Sequence, residues 1–203
     1  MPPVSPKKKP AAPAAPAPAL FAAKELQPYL RKVMASLGKR LSLTRMAVLF
    51  EIADLAWYLT ALERHADAAS IVDYLGLVPF TGNHNLWSPA SLGLSLGARL
   101  ARLAGQPARR AALVGRLVEN PAYATVQRVY FEQDLARVVL EIDRARAEKT
   151  QKLACRQLAR ALGRVTYFRE TAGHGFYYDT WLDTAAVDAQ LDRGLVELRA
   201  RLA

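Results

Sequence analysis

The sequence is poor in cysteine, histidine and aromatic residues. It has one cysteine and three histidines among 203 residues, and aromatic residues make up 8% of the chain. A lone cysteine, Cys155, forms no internal disulfide, which is typical of a reducing compartment. Sparse aromatic and β-branched residues beside abundant alanine favour packed helices over sheet. We therefore expect an all-α protein of the cytoplasm.

Long apolar runs are also missing. The longest candidate, residues 46–62, is interrupted by Glu51 and Asp54, and it falls short of the roughly 18 uninterrupted apolar residues of a membrane span. The lysines at positions 7–9 are followed by proline-rich sequence, where a signal peptide would need an apolar stretch. The sequence therefore predicts neither a membrane protein nor export by the usual route.

Motifs of the common enzyme and cofactor classes are not found. The chain has no GxxxxGK[ST] phosphate-binding loop, no GxGxxG, no HExxH, no CxxC pair and no GxSxG. We accordingly expect no cofactor and no metal, and an enzyme only if its site is assembled from dispersed residues. Binding surfaces become the main place to look for a function.

Positive charge is concentrated at the N-terminus. The formal net charge is +10, and residues 1–50 hold nine Lys or Arg against one acid, so these residues alone carry +8. Residues 1–19 are mostly Pro, Ala and Lys, and ordering them would cost backbone entropy without burying apolar area. We predict a disordered tail over 1–19 and one helical domain over 20–203. The tail resembles the Lys/Ala/Pro tails of linker histones, which implies contact with nucleic acid.

Apolar periodicity after residue 20 predicts about eight helices, packed as a compact multi-helix bundle or a short α-solenoid. The segment 42–64, with Ser42 as N-cap, carries apolar residues on two sides, so this helix should lie between neighbours. Ser88-Pro89 is a favourable helix start, which leaves 80–87 as a loop. The predicted helices span about 20–37, 42–64, 67–75, 88–104, 108–119, 122–148 and 149–170, with a final helix carrying Val187, Leu191, Leu195, Leu198 and Leu202.

Helical hairpins of similar length end at Pro79 and Pro121. The stretch LGARL at 96–100, followed by Gly105 and Pro121, has a small residue in the first helix, a turn, and a proline after the second helix. It resembles a degenerate tetratricopeptide-type hairpin, and the resemblance covers about residues 42–121. It implies a stacked helical array that binds peptides or proteins through its concave face.

Two segments combine histidine with aromatic residues, GNHNLW at 82–87 and GHGFYYDTW at 173–181. Histidine titrates near neutral pH, a neighbouring aspartate can orient it, and Tyr and Trp offer flat faces with polar tips. If both segments lie at one end of the helices they line one pocket; otherwise the aromatics close over the end of the core. The candidate binding residues are His84, Trp87, His174, Tyr177, Tyr178, Asp179 and Trp181.

Glu51, Asp54 and Tyr58 follow helical spacing on one side of the apolar segment 46–62. Carboxyl groups in such a place either perform acid–base work with raised pKa values or pair with an arginine of a neighbouring helix. The ion pair is the ordinary arrangement, and it is the one we expect.

A basic stripe recurs every four residues along the predicted helix 149–170. Cys155 lies on the opposite, apolar side with Leu158 and Leu162, where it should be a small core residue. The stripe then faces water or acidic neighbours, and alternatively it contacts phosphates. Its members, the candidate anion contacts, are Lys152, Arg156, Arg160 and Arg164.

Three functions remain open from the sequence. The leading hypothesis is a non-enzymatic protein-interaction module, a helical adaptor or neutralising protein whose partner and oligomeric state the sequence leaves open. The second is a small-ligand-binding protein or enzyme that uses the His84 and His174 segments. The third is non-specific nucleic-acid binding through the basic N-terminal region and the basic stripe.

Overall fold

A computed structural model describes residues 46–78, 84–119, 151–175, 179 and 182–203. This part of the chain is all-helical, as the sequence predicts, and contains no strand. None of its helices has the length and apolar content that crossing a membrane requires. The predicted tail over 1–19 and the predicted helices over 20–37 and 122–148 lie outside the described residues. The helices are α1 (Met46–Ala61), α2 (His65–Leu75), α3 (His84–Leu103), α4 (Pro107–Val118), α5 (Gln151–Thr171) and α6 (Thr184–Leu202).

The predicted start of α3 is wrong. The helix already includes His84, so residues 84–87 form its first turn instead of belonging to a loop, and Pro89 lies inside the helix. Ser88 is not an N-cap, because it lies in the second turn of a helix that begins at His84. The proline removes the hydrogen bond that would run to the carbonyl of Asn85, close to the helix start, and this single loss is tolerated.

α1 is the central helix of the described fold. It contacts α2, α3, α5 and α6, which agrees with the prediction that a helix with two apolar sides lies between neighbours. Its largest side chains, Trp57 and Tyr58, are fully buried. Each buried Leu-sized side chain contributes about 1.5–3 kcal/mol relative to an exposed one, so this helix holds much of the core. Its other buried apolar residues are Leu49, Ile52, Ala53, Leu55, Ala56, Leu59 and Ala61.

Four of the six helices form two antiparallel hairpins. Short turns at 62–64 and 104–106 join α1 to α2 and α3 to α4, so each pair is an antiparallel hairpin. α2 also runs opposite to α3, since Leu75 faces Gly93 and Val72 faces Gly97. α1 and α3 are therefore parallel neighbours, and α5 packs against α1, α3 and α4, while α6 packs against α1 and α5.

Glycine allows α2 and α3 to approach closely. A Cβ built on Gly97 would overlap Val72 Cγ1 and lie 3.1 Å from Leu113 Cδ1 of α4. Val72 is fully buried and β-branched, so its side chain cannot rotate away. Gly115 of α4, in contrast, has only Glu119 Oε1 at 3.8 Å from such a Cβ.

We expect the same substitution to have opposite effects at these two glycines. Gly97→Ala should lower the free energy of unfolding by about 1–2 kcal/mol, because overpacking a core outweighs the gain in helix propensity. Gly115→Ala should raise it by about 0.5–1 kcal/mol, since the added methyl meets no obstacle. Urea unfolding followed by circular dichroism at 222 nm measures both. A Gly97→Ala variant as stable as Gly115→Ala would contradict the close packing of α2, α3 and α4.

Candidate functional site

Asp54 is buried between α1 and α5. Its carboxylate lies 3.4 Å from Arg160 Nη2 and 3.8 Å from Arg156 Nε. The predicted ion pair with arginine from a neighbouring helix is confirmed. Burial raises the pKa of Asp54 to about 6, and the two arginines oppose that rise only in part.

The basic stripe of α5 is therefore partly neutralised within the fold. Arg156 and Arg160 both reach Asp54, and the Arg160 guanidinium also lies 4.6 Å from the centroid of the Phe50 ring. Arg164 is partly buried one turn further along, and the Lys152 side chain lies outside the described residues. Cys155 is buried on the opposite side of the helix, as predicted. At least two cations of the stripe thus face an acidic neighbour.

The glycine-rich segment after α5 forms a turn. The carboxylate of Asp179 accepts hydrogen bonds from the backbone N–H of Gly173 at 2.9 Å and of Gly175 at 2.7 Å. Both glycines have positive φ, +86° and +82°, a conformation that other residues rarely adopt. His174 lies between them and is exposed. The geometry thus assigns Asp179 the task of holding the turn. Tyr177, Tyr178 and Trp181 lie outside the described residues.

His84 and His174 lie near opposite ends of α3. His84 is the first residue of α3, whereas Arg102, near its end, contacts Glu170 in the last turn of α5. His174 follows that last turn. A helix of 20 residues is about 30 Å long, so the structure does not bring His84 and His174 together. The side chains of His84 and Trp87 lie outside the described residues.

Glu170 anchors a charged cluster that sequence reasoning missed. Its side chain is 0% exposed, and its two carboxylate oxygens accept hydrogen bonds from Arg102 Nε at 2.9 Å and Arg110 Nε at 3.0 Å. Burial alone would lower the pKa of Arg102, but Glu170 and Asp188 outweigh it and raise that pKa. One buried carboxylate thereby links α3, α4 and α5.

Asp188 extends this cluster to α6. It accepts hydrogen bonds from Arg99 at 3.0 Å, Arg102 at 2.8 Å and Arg169 at 2.9 Å. Arg99 is only 3% exposed and also binds Asp192 at 2.6 Å. Burial by itself would raise the pKa of Asp188, but the hydrogen bonds from Arg169 and Arg102 outweigh it, and the net result is a lowered pKa.

Removing the charge of Glu170 should lower the free energy of unfolding far more than removing the charge of Asp192. Glu170→Gln leaves Arg102 and Arg110 beside an uncharged group in a buried place, and we expect a loss of about 3–5 kcal/mol in the free energy of unfolding. Asp192→Asn changes an exposed partner and should cost at most about 1 kcal/mol. Urea unfolding of both variants at pH 7 tests this, and equal losses would contradict the central place of Glu170.

Asp54 and Asp188 should affect stability in opposite pH ranges. The raised pKa of Asp54 favours its protonated form in the folded state, so stability falls by about 2 kcal/mol as pH rises from 4 towards 7. The lowered pKa of Asp188 gives stability that is present above its ordinary value of 3.8 and lost as pH falls below it.

Two variants separate these contributions. Asp54→Asn should flatten the decline between pH 4 and 7, and Asp188→Asn should leave that decline unchanged while reducing the loss of stability in acid. Unfolding in urea at half-unit pH steps provides the measurement. An unchanged slope in Asp54→Asn between pH 4 and 7 would contradict the assignment.

A cleft of about 590 Å³ opens beside the charged cluster. Its walls come from the end of α1, the start of α2, the end of α3, the start of α4 and the middle of α6. Leu103, at its edge, is 61% exposed. The apolar lining includes Ala66, Ala69, Leu100, Leu103, Ala104 and Leu195, and the charged or titratable lining consists of Glu63, His65, Arg99, Arg109, Asp192 and Arg199.

The turn between α1 and α2 fixes one edge of the cleft. Glu63 has a φ of +61°, a left-handed conformation that is uncommon for a residue other than glycine. Its carboxylate pairs with Arg199 Nη2 at 2.7 Å, and Arg199 Nε donates to the carbonyl oxygen of Ala61 at 2.6 Å. The N–H groups of Glu63 and Arg64 donate to the carbonyl oxygens of Thr60 and Leu59, so the left-handed residue belongs to the Schellman motif that ends α1.

Sequence reasoning missed both the cluster and the cleft, although part of the signal was present. Arg99 and Arg102 are three residues apart on α3, and Asp188 and Asp192 are four apart on α6, so each pair shares a helix face. Opposite charges at matching spacing on two helices indicate a contact between them. Glu170 carried no comparable signal, because its burial depends on how three helices meet.

Within the described ranges, no group of three or more His, Cys, Asp or Glu side chains is arranged to hold a metal ion. A protein-family model, described as a family of unknown function (DUF6707), matches residues 8–199 of the chain. No curated protein and no solved structure matches the chain.

Proposed function

The chain belongs to this family of unknown function (DUF6707), and we propose that it is a non-enzymatic protein-interaction module whose cleft receives a segment of a partner protein. The observation that carries this proposal is the cleft itself. It lies where the ends of α1 and α3 meet α6, and its lining combines Ala and Leu side chains with charged groups. An apolar surface with a polar rim is the usual composition of a recognition site.

The state of the charged groups supports binding over catalysis. The cleft arginines form ion pairs with carboxylates of the fold: Arg99 with Asp188 and Asp192, Arg109 with Asp73, and Arg199 with Glu63. The carboxyl group whose pKa is raised to about 6, Asp54, is buried between α1 and α5 and does not line the cleft. A catalytic acid or base has to reach the substrate, so Asp54 cannot act on a molecule bound in the cleft.

The tetratricopeptide-type resemblance supports a repeat-like arrangement of α1–α4 in this proposal. Two antiparallel hairpins lie side by side, and Gly97 lies at the contact between α2 and α3. However, α5 packs against both α1 and α3, and α6 packs against α1. The chain itself therefore fills the face that such an array would offer to a partner, and recognition is assigned to the cleft at the helix ends.

The two other functions have less support. A pocket shared by His84 and His174 is disfavoured, because the two residues lie near opposite ends of α3. Phosphate binding by the basic stripe is weakened by the pairing of Arg156 and Arg160 with Asp54.

A cleft-filling variant with a matched control tests the proposal. Random 16-residue peptides are selected by display against the full chain, and their affinities are measured for the wild type and two variants. Ala66→Trp places an indole in the cleft from an exposed position on α2, whereas Ala189→Trp adds the same side chain to an exposed position of α6 that does not line the cleft. We expect Ala66→Trp to weaken peptide binding by about tenfold or more, because the indole takes the place of a hot-spot contact of the peptide. Ala189→Trp should change the affinity less than about twofold.

Equal affinities of the two tryptophan variants, or a failure of selection to yield any binder, would contradict the proposal. Loss of binding in His174→Ala with full binding in Ala66→Trp would favour the turn after α5 instead. Circular dichroism of each variant confirms that the helices are retained.

A further inference from the structure

We infer that the cleft also receives residues 10–23 of the chain itself, so that this segment and a partner compete for one site. This inference rests on the proposed function, because it assigns a regulator to the same cleft. The segment has the sequence PAAPAAPAPALFAA and lies outside the described residues. Three observations favour it as the occupant: the state of the cleft charges, the composition of the segment, and the length of chain that connects the two.

The charged lining of the cleft gives an occupant little to pair with. Arg99 is buried against two aspartates of α6, and Arg109 and Arg199 each bind a carboxylate of the fold. A charged occupant would have to displace one of these internal partners, and its own charge would lose contact with water. The contact that the lining offers is apolar, and it includes Leu103, which is 61% exposed. An uncharged occupant with apolar side chains therefore fits this cleft best.

The composition of residues 10–23 meets this requirement. They form the longest uncharged stretch of the sequence before α1, and they contain two large apolar residues, Leu20 and Phe21, among prolines and alanines. Alanine and proline lose no side-chain entropy on binding, and proline has a fixed φ, so holding such a segment costs less than holding one with long side chains. Leu20 and Phe21 then supply the apolar area that covers Leu103.

The chain between the segment and α1 is long enough to reach the cleft. The cleft lies at the Ala61 end of α1, so the connection has to pass the length of this 16-residue helix, about 24 Å, starting from Met46. The connection consists of residues 24–45. These residues span about 33 Å as a helix and about twice that distance when extended. Either conformation covers the distance.

A segment of the same chain competes at a high local concentration, even when its own affinity is low. Tethering gives it an effective concentration on the order of 1 mM. With an intrinsic Kd of about 0.5 mM, the segment occupies the cleft in about two-thirds of the molecules, and it weakens a competing peptide about threefold. A partner that binds more tightly still displaces it, so the segment sets a threshold for binding.

Removing the two large apolar residues of the segment tests the competition. The probe is a fluorescein-labelled peptide selected by display against the full chain, whose binding Ala66→Trp weakens. We expect the double variant Leu20→Ser/Phe21→Ser to bind this probe about threefold more tightly than the wild type, because the segment loses its main apolar contact. Val4→Ser changes an apolar residue of the same region outside the segment, and it should change the affinity less than about 1.5-fold. Fluorescence anisotropy measures the affinities.

Disulfide trapping locates the segment without any partner. Ala19→Cys is combined either with Ala66→Cys in the cleft or with Ala189→Cys, an exposed position of α6 that does not line the cleft. The natural Cys155 is buried and does not compete for the new thiols. Under mild oxidation we expect the first pair to form a disulfide within the chain at least about tenfold faster than the second pair. Non-reducing gel electrophoresis and mass spectrometry of tryptic fragments measure both rates.

Three outcomes overturn the inference. They are equal trapping rates of the two cysteine pairs, equal probe affinities of Leu20→Ser/Phe21→Ser and Val4→Ser, and disulfides that join two chains, which would make a second copy the occupant. The proposed function is judged separately. If selected peptides lose affinity in Ala66→Trp but the trapping rates are equal, the cleft remains an interaction site and only the chain's own segment is excluded. If no peptide is selected but the first pair is trapped faster, the chain's own segment holds the cleft and the proposed partner is excluded.

Discussion

The buried carboxylate of Glu170 has to be neutralised where it lies, and that requirement holds four helices in register. A carboxylate removed from water is stable only with close cationic partners, and these come from Arg102 on α3 and Arg110 on α4. Arg102 is shared with Asp188, which carries the constraint to α6. Apolar packing alone permits small shifts between helices, whereas hydrogen bonds of 2.8 to 3.0 Å fix direction as well as distance.

This constraint also shapes the cleft. Arg99 reaches from α3 to Asp188 and Asp192, so a long side chain bridges these two helices in the half of α3 that borders the cleft. Arg199, near the C-terminal end of α6, binds the carbonyl oxygen of Ala61 at the end of α1 and the carboxylate of Glu63. The space between these two attachments is lined by short alanines of α2 and α3 and by leucines. The cleft is therefore a product of the ionic contacts that position α6, and it should persist as long as they do.

Within the described residues, the sequence was sufficient for the helical character and for much of the core, because both depend on local periodicity. The two-sided apolar pattern of 42–64 predicted a helix that lies between neighbours, and spacing placed Cys155 on the buried side of α5. The start of α3 was mispredicted because Ser88-Pro89 looks like a helix start even when the preceding turn is already helical. For the candidate site, spacing identified Asp54 as a paired acid, but the cluster around Glu170 and the cleft arise from residues up to about ninety positions apart. Such contacts have no local pattern.

The direction in which the helices run explains why the proposed interaction surface lies at their ends. In an array of hairpins the first helices of each pair line a common face, and a partner normally lies along that face. Here α1 and α3 occupy those positions, but α5 runs parallel to both and packs against them, and α6 returns alongside α5. The common face is thereby converted into core, as the burial of Trp57 beside Gly163 illustrates. The cleft lies where the ends of α1 and α3 approach α6, and there alanine and leucine side chains occur together with ion-paired arginines.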